Sequence, residues 1–197
     1  MQMNLPNLLT LLRLALIPVF VLFFYLPFSW VNVACTAVFS LAAVTDLLDG
    51  YLARRLGQTS AFGAFLDPVA DKLMVGVVLV LLVAEHPTPF MAIPAAVIIG
   101  REITVSGLRE WMAGFGERTT VAVSVVGKIK TTLQMIAMIL LIYREPIGPL
   151  DVWTVGMVLL YVAVILTLWS MGAYLRSAWP ALVGKGPQDK ASRLDKE

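Results

Sequence analysis

The sequence contains very few of the residues on which many active sites depend. Its 197 residues include a single cysteine, Cys35, and a single histidine, His86. One cysteine excludes an intramolecular disulfide and a Cys-rich zinc or iron–sulfur site, and one histidine excludes a HExxH zinc helix. A Ser-His-Asp triad would have to use His86, but we expect no function for this residue or for Cys35. Carboxylates and basic side chains are therefore left for chemistry.

Charge is also scarce, since only 14% of the residues are charged, whereas a soluble domain has about 25%. Hydrophobic residues make up 59% of the chain, and the mean hydropathy is +0.84. A helix needs about 20 apolar residues to cross roughly 30 Å of hydrocarbon. The chain is therefore predicted to be an all-α polytopic membrane protein with six transmembrane helices and no separate soluble domain.

Hydropathy predicts six spans, separated by short segments that contain proline, glycine or polar residues. Their approximate bounds are 5–27, 31–52, 66–85, 89–112, 120–142 and 151–175. The first apolar segment has no basic residue before it and no small-residue cleavage site, so we expect a retained span and not a signal peptide. One membrane domain is predicted over 1–183, followed by a polar cytoplasmic tail over 184–197.

Basic residues predict how the spans are oriented. Loops rich in lysine and arginine remain in the cytoplasm, and an even number of spans places both termini on one side. With the termini inside, the outer segments near 28–30, 86–88 and 143–150 contain only Arg144 of the 15 basic residues. Both termini are therefore predicted to be cytoplasmic.

Four aspartates lie at the predicted inner ends of the second and third spans. Asp46 and Asp49 are three residues apart, and Asp67 and Asp71 are four apart, so each pair can project from one helical face. An antiparallel hairpin would bring the four carboxylates together. Pro68 is tolerable if Asp67 opens the third helix, because proline at the first helical position removes no intrahelical hydrogen bond. Each ionised side chain in a membrane costs at least about 2.5 kcal/mol, so the four acids need a shared partner or function.

A divalent cation is the simplest partner for these carboxylates, which would otherwise repel one another. Oxygen ligands without histidine or cysteine favour Mg²⁺ or Mn²⁺, and Mg²⁺ commonly binds carboxylates together with substrate phosphates. Two ions held by four acids would suit in-line displacement at phosphorus. The residues therefore predict a two-metal site for a substrate that carries a pyrophosphate.

Small and basic residues accompany the aspartates. Gly50 and Ala53 lie beside the first pair, and Gly63 precedes the second pair by one turn. They could leave a groove for a ring, or they could serve tight helix packing, for which membrane helices often use such residues. Arg54 could balance the acids or bind a phosphate.

Eight positions over 26 residues resemble the signature of the CDP-alcohol phosphatidyltransferase family, and none departs from it. They read Asp46-x2-Asp49-Gly50-x2-Ala53-Arg54-x8-Gly63-x3-Asp67-x3-Asp71. The resemblance implies a six-helix membrane enzyme, commonly a homodimer, with two divalent cations, Mg²⁺ or Mn²⁺. It implies that the four aspartates hold the metals and that Asp71 is also the general base. It further implies that the CDP-diacylglycerol site includes Gly50, Ala53, Arg54 and Gly63.

Three more segments extend the resemblance over nearly the whole chain, to bacterial members that use glycerol 3-phosphate as the acceptor. The segments are NLPNLLTLLRLALIP, GREITVSGLREWMA and VGKIKTTLQM. This resemblance implies transfer of the phosphatidyl group of CDP-diacylglycerol to the sn-1 hydroxyl of glycerol 3-phosphate, giving phosphatidylglycerol phosphate and CMP. It implies a multi-pass protein of the bacterial inner membrane with its active site facing the cytoplasm. No nucleic acid is expected as a partner.

Basic residues of the fourth and fifth spans are candidates for binding the acceptor phosphate, because cations in membrane helices are costly without an anionic partner. Three are expected to bind glycerol 3-phosphate: Arg101, Arg109 and Lys130. Glu102 and Glu110 could neutralise the two arginines. Adjacent helical residues do not face each other, however, so each glutamate is expected to point away from the arginine before it.

Three polar residues of the first span are predicted to contact CDP-diacylglycerol: Asn7, Thr10 and Arg13. They lie on one broad side of the helix near its inner end. Each has a structural alternative. Asn7 could cap the helix, Thr10 could bond to its own backbone, and Arg13 could form a salt bridge to an aspartate.

Three other functions remain open from the residues alone. Inositol phosphate, serine or another acceptor would keep the same chemistry. A cation transporter would use the aspartates as an ion path, but all four lie at one predicted membrane face. An aspartate-rich prenyltransferase also binds a diphosphate through Mg²⁺, but Asp-x2-Asp-Gly-x2-Ala-Arg is not its pattern.

Overall fold

A computed structural model describes residues 5–56, 61–114 and 125–184, and these ranges form six α-helices without a β-strand. The helices are α1 (Leu5–Phe24), α2 (Val31–Leu56), α3 (Ala61–Glu85), α4 (Pro89–Gly114), α5 (Val125–Tyr143) and α6 (Val152–Gly184). The all-α prediction is confirmed. The segment between the two aspartate helices, the first residues of the predicted fifth span and nearly all of the predicted tail lie outside the described residues.

Three described helices contain segments long and apolar enough to cross a membrane: Asn7–Phe24, Pro89–Met112 and Val152–Arg176. Shorter apolar stretches occur in α2 and α5, where charged residues interrupt the hydrophobic sequence. No more than 33% of the residues in each long segment are buried. Large side chains such as Ile103 and Trp169 are 69% and 74% exposed. Apolar surface of this extent requires a partner, and hydrocarbon is the partner that fits helices of this length.

The six helices pack in a ring in the order α1, α2, α5, α6, α4 and α3, and α3 closes it against α1. The most extensive interface joins α5 and α6. Gly156 allows this close approach, because a Cβ at that position would lie 2.9 Å from Leu141 Cγ and 3.3 Å from the Ala137 carbonyl oxygen. Large apolar side chains such as Phe39 and Leu82 fill the core.

Helix α3 begins earlier than expected. Asp67 does not open the third helix, because α3 starts at Ala61, before the predicted span start at 66, and Pro68 lies inside it. Hydropathy locates the part of a helix that can cross hydrocarbon, whereas backbone hydrogen bonding continues beyond that part. For the same reason α6 extends to Gly184, past the predicted span end at 175. Proline has no N–H, so α3 lacks one interior hydrogen bond, that from residue 68 to residue 64.

Candidate active site

Arg13 brings together three of the four predicted metal-binding aspartates. Its Nη1 lies 2.8 Å from Asp46 Oδ1 and also donates to Asp71 Oδ1, while its Nη2 lies 3.4 Å from Asp67 Oδ1. The guanidinium can reach all three because α1 packs against both α2 and α3. The salt-bridge alternative for Arg13 is therefore confirmed. We call these three aspartates the acid cluster, and their end of the ring the acid end.

Arg13 belongs to a buried polar face of α1. Asn7, Thr10 and Arg13 are 3%, 2% and 1% exposed, at intervals of three residues that keep them on one side of the helix. Burial of polar groups inside an apolar ring requires polar partners. Arg13 has its partners in the acid cluster, and the shared face directs Asn7 and Thr10 towards the interior at the same end.

The remaining signature residues are described less completely. Helix α2 carries four of them, but their side chains lie outside the described part of the structure: Asp49, Gly50, Ala53 and Arg54. Gly63 lies in the first turn of α3, one turn before Asp67, as predicted. The four metal ligands and the nucleotide groove thus remain predictions.

The donor set at the acid end is suitable for a hard divalent cation. Asp67 Oδ1 is buried and accepts no hydrogen bond within the described ranges. Its 3.4 Å distance from Arg13 Nη2 is that of an ion pair without hydrogen-bond geometry. Among the residues that the structure describes, no group of three acid, histidine or cysteine side chains is arranged to hold an ion. Arg13 lies among the three carboxylates, and the side chain of Asp49 is outside the described part of the structure. The oxygen-only chemistry therefore fits Mg²⁺ or Mn²⁺.

Glu102 connects two of the predicted acceptor-binding cations. Its Oε1 lies 2.9 Å from Arg101 Nη1 and 3.3 Å from Lys130 Nζ. The prediction that Glu102 points away from Arg101 is therefore wrong. The two Cβ atoms do diverge around the helix, but long side chains can converge beyond them, and Lys130 adds a second attraction. Lys130 is 3% exposed, so the carboxylate also compensates a buried ammonium group.

These cations lie at nearly the same height as the acid cluster. Lys130 precedes the end of α5 by 13 residues, Asp71 precedes the end of α3 by 14, and Arg101 follows the start of α4 by 12. Those three helix ends meet at the opposite end of the ring, so the three residues are each about 20 Å from it. The structure thus places a cationic group and an acidic group at one level of the ring.

Arg109 is positioned separately on α4. Its guanidinium carbon lies 5.7 Å from the centre of the Tyr174 ring of α6, within the range of a cation–π contact. Both Arg101 and Arg109 are close enough to Lys130 to act on it electrostatically. The Thr104 hydroxyl donates to the Gly100 carbonyl oxygen of its own helix at 2.8 Å. Sequence reasoning missed Tyr174, because a tyrosine in an apolar helix carries no sign of its neighbour.

A cavity lies at the opposite end of the ring. It has a volume of about 230 Å³, and its lining includes Asn32, Cys35, Glu85 and Arg144. Arg144 forms a bidentate ion pair with Glu85, which ties the end of α5 to the end of α3. Glu85 is 14 residues beyond Asp71, or about 20 Å along α3, so this cavity is separate from the acid cluster. Only about 10 Å³ of space adjoins Arg13, Asp46 and Asp71.

His86 also lies at that opposite end. Its ring contacts the Trp153 ring at a tilt of 32°, with 4.3 Å between centroids. Burial and the nearby Arg144 lower the pKa of His86, so the imidazole is neutral at pH 7. Cys35 is buried in the core. Both residues are far from the acid cluster, in agreement with the expectation that neither takes part in its chemistry.

Comparison with known proteins shows the family to which the chain belongs. A family model for CDP-alcohol phosphatidyltransferase matches residues 3–169. The chain belongs to the CDP-alcohol phosphatidyltransferase family. This confirms the resemblance seen in the signature and identifies the chain as a transferase. Members of the CDP-alcohol phosphatidyltransferase family generally depend on divalent metal ions.

Individual relatives are similar over nearly their whole length. Proteins named CDP-diacylglycerol–glycerol-3-phosphate 3-phosphatidyltransferase from Sodalis glossinidius and Pectobacterium atrosepticum are 54% and 55% identical to it, over 90% of this chain and 96% of each relative. A protein of the same name from Pseudomonas fluorescens is 54% identical to this chain, over 95% of this chain and 96% of the relative. The similarity therefore includes α1, α4 and α5 as well as the signature helices of this CDP-alcohol phosphatidyltransferase.

Proposed function

We propose that this protein transfers the phosphatidyl group of CDP-diacylglycerol to the sn-1 hydroxyl of glycerol 3-phosphate, giving phosphatidylglycerol phosphate and CMP. The observation that carries the proposal is the name shared by relatives that are more than half identical over nine-tenths of the chain. The geometry supports it, because two anionic substrates need cationic groups and the ring has a cationic group level with the acid cluster. Head-group transfer in phospholipid biosynthesis also accounts for the apolar scaffold.

The proposed roles divide the acid end into three parts. Asp46, Asp49, Asp67 and Asp71 would hold two divalent cations. Gly50, Ala53, Arg54 and Gly63, with Asn7, Thr10 and Arg13, would hold the cytidine diphosphate part of the lipid substrate. Arg101, Arg109 and Lys130 would hold the phosphate of the acceptor. The bound metals would supply neutralisation of the pyrophosphate charge, which is the main requirement of phosphoryl transfer.

In the proposed reaction, the Asp71 carboxylate accepts the proton of the sn-1 hydroxyl. The freed oxygen attacks the phosphorus that bears diacylglycerol, and the bond from that phosphorus to the bridging oxygen breaks, so CMP leaves with the bridging oxygen. Arg13 contacts Asp71 and holds its carboxylate in place. The basic side chains of α4 and α5 orient the acceptor by its phosphate, so that one particular hydroxyl reaches Asp71.

The proposal includes a location and an assembly. Six spans with both termini in the cytoplasm would place the acid end at the cytoplasmic face of the bacterial inner membrane, where the soluble substrate, glycerol 3-phosphate, is found. The distribution of basic residues supports this orientation. A homodimer is proposed from family resemblance alone.

The acceptor and the lipid substrate should respond differently to loss of the basic side chains. Lys130→Ala and Arg109→Ala are each expected to raise the KM for glycerol 3-phosphate by about tenfold or more, since a hydrogen bond to a charged group is lost. The KM for CDP-diacylglycerol should change little. Arg176→Ala, at an exposed arginine of α6, is the matched control and should leave both values unchanged. Equal effects on the two substrates would contradict the assignment of these residues.

A panel of acceptors tests the function itself. The purified full-length chain is supplied with CDP-diacylglycerol and, separately, glycerol 3-phosphate, inositol phosphate or serine, and the lipid product is identified by mass spectrometry. We expect a lipid product only when glycerol 3-phosphate is the acceptor. That product should be phosphatidylglycerol phosphate, with one CMP released for each lipid formed. Product formation with a different acceptor, or with none, would overturn the proposed function.

A further inference from the structure

Glu102 holds two cations of different helices on one atom. Arg101 Nη1 and Lys130 Nζ lie 2.9 Å and 3.3 Å from the same oxygen, Glu102 Oε1, so the two nitrogens are no more than about 6 Å apart. Arg101 precedes Glu102 on α4, whereas Lys130 belongs to α5. A single carboxylate oxygen therefore determines the separation of the two positive groups.

This contact connects helices that are not neighbours in the ring. Helix α4 packs on α3 and α6, and α5 packs on α2 and α6 and, less extensively, on α3. The bridge between Glu102 and Lys130 consequently passes through the interior of the ring and is made by side chains alone. Without it, the long side chain of Lys130 would have more rotamers available and would not be fixed relative to Arg101.

The ion pairs of Glu102 neither neutralise both cations nor satisfy all of their hydrogen-bond donors. One carboxylate faces two cations, so a net positive charge remains at this point. Arg101 Nε is buried and has no hydrogen-bond partner within the described ranges. A buried donor without an acceptor is costly, and an anion is the acceptor that suits a guanidinium best. The arrangement is that of a cationic pair assembled before its anion arrives.

We propose that Glu102 is a positioning residue for the acceptor phosphate. It acts through Arg101 and Lys130, which it holds at the separation that one phosphate group can contact. As a carboxylate it repels the phosphate and does not bind it. The inference rests on the proposed function, because it takes glycerol 3-phosphate as the anion that these cations bind.

The direction in which the KM for glycerol 3-phosphate changes when Glu102 is removed distinguishes a positioning role from a charge-balancing role. If Glu102 only reduced the positive charge, its removal would leave the cations more attractive to phosphate, and the KM for glycerol 3-phosphate would fall. If Glu102 positions the cations, its removal leaves both side chains free to move, and the KM rises. A merely structural role would instead affect both substrates and the turnover number.

The experiment compares two variants with a matched control. Glu102→Ala removes the bridge and is expected to raise the KM for glycerol 3-phosphate by about tenfold. Glu102→Asp keeps the charge but is one methylene shorter, and should raise it by about threefold. The KM for CDP-diacylglycerol and the kcat should remain within about twofold of wild type. Glu110→Ala is the control, because exposed Glu110 follows Arg109 as Glu102 follows Arg101.

Each outcome decides the proposal. A rise in the acceptor KM confined to the Glu102 variants supports it. An unchanged or lower acceptor KM in Glu102→Asp, or equal losses for both substrates, overturns it while leaving the proposed function in place. If Glu102→Ala does not fold, the Glu102→Asp variant carries the test. Failure of the wild-type protein to make phosphatidylglycerol phosphate would overturn the proposed function and this inference together.

Discussion

Replacement of Asp71 by asparagine is expected to reduce CMP release by at least about a hundredfold. Loss of a general base typically costs about 10²- to 10⁴-fold, and an amide cannot accept the proton of the sn-1 hydroxyl. The same change would weaken a proposed metal ligand, which acts in the same direction. The measurement is the kcat for CMP release at saturating CDP-diacylglycerol and glycerol 3-phosphate.

The fold should tolerate this substitution, because Arg13 keeps its ion pairs with Asp46 and Asp67. An unfolding temperature near that of wild type in the same detergent would demonstrate it. Asp151→Asn is the matched control. Asp151 begins α6 by accepting hydrogen bonds from the backbone N–H groups of Trp153 and Thr154, and asparagine caps helices equally well. If Asp71→Asn releases CMP at the wild-type rate, Asp71 is not the general base.

Removal of divalent cations is expected to abolish the reaction completely. The three carboxylates of the acid cluster face only one buried arginine, Arg13, so the charge there remains negative and repels a pyrophosphate. Dialysis against EDTA should therefore eliminate CMP release, and Mg²⁺ or Mn²⁺ should restore it. Full activity after chelation would contradict the proposed metal site.

A stability measurement without substrate provides an independent check. Mg²⁺ should raise the unfolding temperature of the wild-type protein, because an ion that binds only the folded state stabilises it. The increase should be smaller in Asp67→Asn, which alters the carboxylate whose Oδ1 accepts no hydrogen bond within the described ranges. In Glu110→Ala the increase caused by Mg²⁺ should equal that of the wild-type protein. The same increase in all three proteins would indicate that the ion binds elsewhere.

Much of the acid end could be predicted, because the relevant spacings are local. Intervals of three and four residues place side chains on one helical face whatever the rest of the fold does. Asp46 of α2 then meets Asp67 and Asp71 of α3 at Arg13, because both helices pack on α1. The contact partner of Arg13 was predicted only as one alternative, since it depends on how α1 packs between α2 and α3.

The errors arise where tertiary contacts or helix ends decide the result. Cβ directions alone separate Glu102 from Arg101, but side chains of that length converge beyond Cβ, and Lys130 on α5 lies within reach of both. No periodicity within α4 contains that information. Helix α3 starts before the predicted span, because an apolar run indicates only the part of a helix that can lie in hydrocarbon. The helix itself continues as long as its backbone hydrogen bonds can form.

Pro68 determines the depth at which α3 can lie in a bilayer. The carbonyl of Ala64 cannot receive the usual helical hydrogen bond from residue 68, because proline has no N–H. A carbonyl without a hydrogen bond costs roughly several kcal/mol in hydrocarbon. The first turn of α3 is therefore expected in the hydrated headgroup layer. Asp67 and Asp71, about 6 Å apart along the axis, would then lie at the lower edge of that layer. A lipid could present its phosphates to them at headgroup height, without leaving its leaflet.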